Sequence, residues 1–276
     1  MIFAALLLIS GSGAYAYTEG IFDDILELND DESEDVKVIT EEPVIEESEI
    51  AALISVDTNL GTNFYSMEEV DNGNNNEVED IVWDNFTFQF DGYGSTGNIE
   101  NYTWDFGDSN ELYGIEGSHS YELPGTYQVT LTVMSPNGNT ASSQTQITVN
   151  FDGYVISDNM ECTCAPTAKI TQIDLKIEED ATVIVGETTV THDGNTEDCT
   201  QRISLQQCHL RVTIEEYNGG SLVSQDVIFD ETFSTNSKTV NFTINPNGNN
   251  YKILLETDQI RDWHKPNTEW FVEYLE

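Results

Sequence analysis

Basic residues are scarce in this chain of 276 residues: 9 lysines and arginines stand against 51 aspartates and glutamates, which gives a formal net charge of −42. A field of this sign repels polyanions, so nucleic acids and anionic lipid headgroups are poor partners. Such acidity serves either a counterion-rich surface that keeps a halophilic protein soluble or the binding of divalent cations. The acidic residues are spread along the sequence, which favours the soluble surface.

Long apolar runs are equally rare, and one of them opens the chain. Residues 2–9 are apolar, residues 10–13 are small, and Ala14-Tyr15-Ala16 has the A-x-A form of a signal-peptidase site. No Lys or Arg precedes the run, so residues 1–16 are either a signal peptide or a retained N-terminal anchor. No other segment could cross a membrane, and we expect an extracellular or cell-surface location.

The side chains that catalysis usually needs are thinly represented. The chain has four histidines, no serine in a nucleophile elbow and no glycine-rich phosphate loop. A pair of carboxylates could act as a glycosidase pair only in a cleft, which a small β-sandwich rarely provides. We therefore predict no catalytic residues, no enzymatic activity and no cofactor other than the calcium considered below.

Only four cysteines occur: Cys162, Cys164, Cys199 and Cys208. An even number in an exported chain predicts two disulfides. Cys162 and Cys164 are too close in sequence to pair readily with each other, so each is expected to bond to one of the other two, in either connectivity. A zinc site built from the same thiolates is the alternative, although Cys-x-Cys is not the usual spacing for zinc.

The chain is rich, in contrast, in strand patterns with embedded aromatic residues. Residues 127–133 alternate apolar and polar side chains, as in a strand with one buried face. Pro124-Gly125 before them suits a type II turn. Trp104 ends a short apolar strand, and turn-forming residues follow at 105–108. A Trp on a central strand and a Tyr at a strand corner are typical of a two-sheet sandwich.

Three segments of this region resemble the PKD (polycystic kidney disease) domain, an immunoglobulin-like β-sandwich. They are W-D-F-G-D at residues 104–108, H-x-Y at 119–121 and P-G-x-Y-x-V-x-L-x-V at 124–133. The resemblance covers residues 50–150 and departs from the family pattern in a long polar insert at residues 57–80. It implies an extracellular spacer or adhesion module with no chemistry of its own.

Composition divides the rest of the chain. Residues 17–49 are predicted to be an acidic, disordered linker, because like charges repel and apolar periodicity is lacking. Residues 151–276 alternate with period two between turn signals, which predicts a second antiparallel sandwich with Trp270, Val272 and Tyr274 on one face of its last strand. The predicted fold class is all-β: two tandem antiparallel β-sandwiches, the second stapled by disulfides.

Candidate ligand sites are few. Asp91, Asp105 and Asp108 lie near loops of the first sandwich and offer carboxylates to Ca²⁺, although the EF-hand spacing is absent. The alternative for Asp105 and Asp108 is to accept hydrogen bonds from the backbone amides of their own turns. Trp263, in a predicted loop, is the candidate platform for a glycan.

Three N-x-T tripeptides indicate possible N-linked glycosylation in an exported protein. They begin at Asn85, Asn101 and Asn241. Two of the three lie in predicted strands, where a glycan would have to point outward.

Together these features predict an exported, non-enzymatic protein that acts in adhesion, display or spacing through contacts with a cell-surface or extracellular protein or glycan. One alternative is a self-associating subunit of an extracellular filament or surface layer, in which the N-terminal segment adds a strand to a neighbour's sheet. Another is an accessory protein of a secreted hydrolase system that binds polysaccharide. Membrane contact is expected only through a retained N-terminal segment.

Overall fold

Every regular element in the described part of the chain is a β-strand, so the predicted all-β class is confirmed. The computed structural model describes residues 49–71, 77–157, 169–192, 208–233, 235, 237–257 and 264–274. In these ranges the strands are β1 (Ser55–Val56), β2 (Leu60–Asp71), β3 (Glu77–Asp84), β4 (Thr87–Asp91), β5 (Asn101–Asp105), β6 (Glu111–Tyr113), β7 (Glu116–Ser120), β8 (Gly125–Met134), β9 (Thr140–Ile156), β10 (Lys169–Asp174), β11 (Ala181–His192), β12 (Cys208–Asn218), β13 (Ser221–Phe233), β14 (Ser237–Ile244), β15 (Asn250–Thr257) and β16 (His264–Tyr274). The described residues include no helix long and apolar enough to span a membrane.

Strands β1 and β4–β8, with the first half of β9, build a sandwich that we call the first lobe. One sheet has the order β1-β4-β7, and the other places β9, β8, β5 and β6 side by side. The alternation predicted for β8 puts Val129, Leu131 and Val133 in the core, fully buried. Trp104 is also fully buried, and its indole Nε1 donates to the Gly114 carbonyl at 2.9 Å. The immunoglobulin-like sandwich predicted here is confirmed.

Aromatic packing and one glycine fix the turn that follows β5. Tyr121 Oη donates to the Phe106 carbonyl at 3.1 Å, and its ring stacks on Tyr127 with the centroids 3.9 Å apart. Gly107 has a φ of +79°, and a Cβ there would come within 2.8 Å of the Gln128 carbonyl oxygen. Glycine is required at this position by both conformation and space.

The polar insert at residues 57–80 contains most of a β-hairpin, which the sequence analysis did not predict. β3 pairs antiparallel with β2, and β2 pairs in parallel with β9. The buried positions at the start of β2 are Gly61, Asn63 and Tyr65. The period of two was hidden because glycine and asparagine do not register as apolar. Asn63 compensates for its burial by donating from Nδ2 to the Tyr121 carbonyl at 2.9 Å.

β9 is a single strand of 17 residues that both halves of the molecule share. Its residues 140–149 pair with β8, and its residues 151–156 pair with β16. β2 lies along the opposite edge and spans the point where β8 ends and β16 begins. The predicted boundary between residues 150 and 151 therefore falls inside a strand that is hydrogen-bonded on both sides.

The second half of β9 and strands β10–β16 form the second lobe. One layer has the order β14-β11-β16-β9, and the other has the order β10-β15-β12-β13. Trp270, Val272 and Tyr274 of β16 are buried between the layers, as the alternation predicted. The core of this lobe also includes Tyr65 of the insert hairpin and Phe151 of β9. The second lobe is therefore completed by residues that precede it in the chain.

Gly153→Ala tests the packing at the shared strand. Gly153 lies opposite Trp270 in the register, and a Cβ at Gly153 would come within 2.3 Å of the Trp270 indole. The indole has little room to move, because it is buried and its Nε1 donates to the Leu175 carbonyl at 2.8 Å. We expect the free energy of unfolding to fall by about 1–3 kcal/mol in chemical denaturation. Gln146→Ala, at an exposed position of β9, should change it by less than about 0.5 kcal/mol.

Candidate functional site

An exposed tryptophan on the insert hairpin marks the candidate site. Trp83 of β3 lies directly opposite Tyr65 of β2, and their ring centroids are 4.6 Å apart. Phe151 completes the cluster, 6.2 Å from Trp83 and 6.4 Å from Tyr65. Tyr65 is 4% exposed, whereas Trp83 is 52% exposed. The buried rings therefore support a tryptophan whose own surface is available to a ligand.

Trp83 borders a groove of about 270 Å³, which we call the Trp83 groove. Its other walls are the turn at residues 122–124 of the first lobe, Phe151 of β9, and Asp174, residues 176–178 and Asn250 of the second lobe. This volume is just below the range of about 300–1,000 Å³ for small-molecule sites. The groove is formed jointly by the hairpin and by both lobes.

Lys176 is the one basic residue among those that line the groove. Its Nζ lies 4.8 Å from the ring centroid of Tyr65 and 5.7 Å from that of Trp83, within the range of a cation–π contact. Its backbone is in the left-handed region, with a φ of +48°, and its amide donates to Asp174 Oδ1 at 2.9 Å. Left-handed backbone is uncommon for a residue other than glycine, so the surrounding fold must hold it.

Carboxylates give the groove a net negative charge. Glu122, Asp174 and Glu178 are all exposed to solvent along its walls. Although Glu178 is exposed, partial desolvation of its carboxylate raises its pKa above the usual value, and the neighbouring Glu179 adds to the shift. The groove thus combines hydrogen-bond acceptors, one ammonium group and an aromatic surface in a small volume.

The three calcium candidates each bind a backbone amide of their own turn. Asp91 Oδ1 accepts the Tyr93 amide at 3.1 Å, and Asp105 Oδ1 accepts the Gly107 amide at 2.9 Å. Asp108 Oδ1 accepts the amide of the residue two positions later at 3.0 Å. Within the described part of the chain, no group of three or more His, Cys, Asp and Glu side chains could hold a metal ion. For Asp105 and Asp108 this is the turn arrangement that the sequence offered as the alternative to calcium.

Asp108 also binds the histidine of the H-x-Y segment. His119 Nε2 donates to Asp108 Oδ2 at 2.8 Å, and the imidazole stacks on Phe106 with the centroids 4.1 Å apart. Burial alone would raise the pKa of Asp108, but the hydrogen bonds from Asn110 and His119 outweigh it and lower the pKa below its usual value. His119 therefore has a packing and hydrogen-bonding role in the first lobe.

The remaining predicted sites are placed only in part. Trp263, Cys162, Cys164 and Cys199 lie outside the described residues, and Cys208 is the first residue of β12. The disulfide pairing and the Trp263 platform therefore stay predictions.

The glycosylation candidates differ in exposure. Asn101 on β5 and Asn241 on β14 are exposed, whereas Asn85 between β3 and β4 is partly buried. Among the three, Asn101 and Asn241 have the surface positions that a glycan needs, and their modification stays a prediction.

Sequence reasoning did not single out Trp83. The one local signal was the turn-forming composition of the Asn- and Gly-rich residues 71–76, since neither flanking segment alternates regularly between apolar and polar residues. A hairpin centred there places Trp83 across from Tyr65. What the pattern could not supply is the groove, because its other walls come from residues 39 to 167 positions away from Trp83 along the chain.

The fold defines a β-sandwich module of the immunoglobulin-like class. Residues 71–149 match the family described as PKD domain. The chain therefore carries a PKD domain, and the resemblance of its three signature segments is confirmed.

Comparisons with known proteins found similarities over different shares of the chain. The chain is 35% identical over 79 residues to collagenase ColA of Bacillus cereus, a match that covers 28% of this chain and 8% of the collagenase. The PKD1 domain of the Vibrio cholerae metalloprotease PrtV is 21% identical, with 36% of this chain and 95% of that domain covered and a TM-score of 0.26. A structure of carbohydrate-binding modules from the β-sandwich superfamily is 12% identical, with 84% and 100% covered and a TM-score of 0.31. These structural similarities support no conclusion about function.

The pH dependence of stability tests the role of Asp108. Its folded pKa lies below the unfolded value, so its ionised form stabilises the fold above the unfolded pKa, and this contribution is lost as the pH falls through the folded pKa. Asp108→Asn should lower the Tm at pH 7 by about 2–4 °C. The wild-type advantage needs an ionised carboxylate, so the difference in Tm between the wild type and the variant should narrow below about pH 4. Thermal unfolding followed by circular dichroism measures this difference. A difference in Tm that stays constant down to about pH 2 would contradict this role.

Proposed function

We propose that this chain is an exported, non-enzymatic spacing and display module, whose PKD domain is rigidly joined to a second β-lobe. The observation that carries the proposal is the shared strand β9, which leaves no flexible linker at the junction of the lobes. A module of this kind holds binding surfaces at a fixed distance and orientation from its point of attachment. Its expected place is outside the cell or on the cell surface.

The insert hairpin adds a second connection between the lobes. β2 pairs with β9 over residues on both sides of the junction, and Tyr65 packs in the core of the second lobe. Bending at the junction would break parallel hydrogen bonds and expose a buried aromatic ring, and both are costly. The hairpin thus supports a rigid role.

The sequence relatives support a role beside another activity. The segment similar to collagenase ColA is 8% of that protein, a size consistent with an accessory domain. Two histidines make hydrogen bonds that join strands or turns of the fold: His119 with Asp108, and His209 with Asp230 at 2.7 Å.

We expect the binding partner to be a cell-surface or extracellular protein or glycan. The charge of −42 disfavours nucleic acid.

Self-association into a filament or layer is a second candidate, favoured by the edge strand β13. β13 has 13 residues and is the edge strand of its sheet, hydrogen-bonded to β12. Leu222, Val223 and Val227 on this strand are about half exposed. The strand contains no Lys or Pro, which commonly protect edges from pairing, but it does contain acidic residues whose repulsion salt would screen.

Tyr65→Ala tests the rigid connection. Truncating this buried ring should lower the free energy of unfolding by about 3 kcal/mol, as for other buried aromatic side chains. Residue 65 precedes the PKD signature in the chain, whereas β16 belongs to the second lobe. If the hairpin joins the lobes, the backbone amides of β16 should nevertheless exchange hydrogen faster in the variant than in the wild type. Hydrogen–deuterium exchange with mass spectrometry measures this. Tyr93→Ala, at a 61% exposed position of the first lobe, is the matched control and should leave β16 unchanged. Unchanged exchange in β16 of the Tyr65 variant would show that the lobes are independent.

The double variant Val223→Lys and Val227→Lys tests the edge strand. If β13 mediates association, light scattering of the wild-type chain should show oligomers at high ionic strength, where the charge of −42 is screened. Lysines on the edge should abolish them. Ser142→Lys with Gln146→Lys, at exposed positions of β9, makes the same change in charge and should still associate. A wild-type monomer at every salt concentration would reject this candidate.

A further inference from the structure

We propose that the Trp83 groove binds a neutral saccharide, with one sugar ring lying against the exposed Trp83 indole. This inference rests on the proposed display role in one respect: it names the ligand that the module would bind. The groove itself is defined by its own geometry. It concerns a different site from Trp263 and from the turns of Asp91, Asp105 and Asp108.

The groove exists because three separate parts of the chain meet there. β3 supplies Trp83, the first-lobe turn supplies Glu122, and the second lobe supplies Asp174, Lys176 and Asn250. Ligand sites often occur where structural units meet in this way, because the junction makes a concave surface. The connection through β9 and β2 holds these walls in place, so the groove is formed before a ligand arrives and little ordering is needed on binding.

Acidic ligands are disfavoured by the charge of the walls. Glu122, Asp174 and Glu178 face the groove against a single ammonium group. The whole chain carries a net charge of −42, which adds long-range repulsion. Glycans rich in carboxylate or sulfate would therefore meet like charge at both ranges.

Lys176 already fills the position that a cation would take on the aromatic rings. A basic side chain would seek the faces of the Tyr65 and Trp83 rings, but the Lys176 ammonium already lies 4.8 Å and 5.7 Å from their centroids. A second cation there would meet like charge at close range. The aromatic surface is thus open to a ring that carries no charge.

A neutral sugar fits the groups that remain. The apolar face of a sugar ring can cover the exposed part of Trp83, which is 52% exposed. Its hydroxyls both donate and accept, which matches the carboxylate acceptors Glu122 and Glu178, the Lys176 donor, and the Asn250 amide, which does both. The volume of about 270 Å³ suits one or a few sugar rings and would leave a polymer free to extend into solvent.

The backbone of Lys176 provides an independent observation. Its φ of +48° is an uncommon conformation, and such residues cluster at ligand sites. Two bonds hold the segment: the Lys176 amide donates to Asp174, and the Leu175 carbonyl accepts from the Trp270 indole. With the backbone held in this way, the Lys176 ammonium lies over the aromatic rings, although the residue itself is exposed.

The test is calorimetric titration of the full chain with four probes: a cello-oligosaccharide, a chito-oligosaccharide, an oligogalacturonate and a tri-lysine peptide. At least one of the two neutral probes should bind and the acidic probe should not, whereas any binding of tri-lysine, which the net charge of −42 favours, should be unaffected by Trp83→Ala. Trp83→Ala should weaken neutral binding at least about tenfold, the size typical of removing an aromatic anchor. Tyr113→Ala removes a ring that is 72% exposed elsewhere on the first lobe, and it should bind as the wild type does.

Asn250→Ala covers the case in which loss of Trp83 unfolds the hairpin. Asn250 is exposed, so its truncation leaves the aromatic cluster intact, and we expect about threefold weaker neutral binding. The proposal is overturned if neither neutral probe binds, if binding of the neutral probe is unchanged in both groove variants, if the acidic probe binds more tightly, or if Trp83→Ala weakens tri-lysine binding as much as neutral binding. Failure here leaves the rigid connection untouched, because hydrogen exchange in the Tyr65 variant measures that separately.

Discussion

The hydrogen bonding of β9 on both of its edges is the constraint on which the rest of the described structure depends. β8 and then β16 occupy one edge, and β2 occupies the other across the point of exchange. A strand paired in this way cannot bend without leaving buried amides and carbonyls unpaired. The packing of Phe151 against Trp270 and Tyr65 adds apolar burial at the same place. Without this strand, the walls of the Trp83 groove would have no fixed positions.

The scarcity of basic residues shapes how each lobe is held together. Residues 50–150 contain no Lys or Arg, so the first lobe depends on aromatic packing and on hydrogen bonds such as those of Trp104 and Tyr121. In the second lobe each basic side chain that the structure describes has a close partner: Lys176 with Tyr65, Lys238 with Phe229, Lys252 with Tyr217, and Arg211 with Asp230 and Glu256. The few basic side chains thus make cation–π contacts and ion pairs between neighbouring strands. Salt screens the repulsion among those acidic side chains that are exposed to water.

Much of the first lobe could be predicted from the sequence because its information is local. The alternation in β8 and the turn residues after Trp104 depend on neighbours within a few positions, and they indicated the sandwich. In the second lobe the alternation of Trp270, Val272 and Tyr274 placed these residues in the core for the same reason. The insert hairpin escaped because Gly61 and Asn63, which are buried, do not look apolar. Asn63 is tolerated inside only because it exchanges hydrogen bonds with the Tyr121 carbonyl and the Phe86 amide, partners far from it in sequence.

The sequence by itself determined the all-β class, the PKD domain and the strongly acidic surface, because strand period, turn chemistry and net charge are properties of neighbouring residues or of composition. The tertiary structure alone decided that β9 continues from one lobe into the next and that β2 lies parallel to it. Parallel pairing joins residues more than 80 positions apart and leaves no local pattern that reveals its register. It alone also decided that Trp83, Lys176 and Asn250 share a groove, since a concave surface arises from where separate segments meet, and no segment carries that shape on its own.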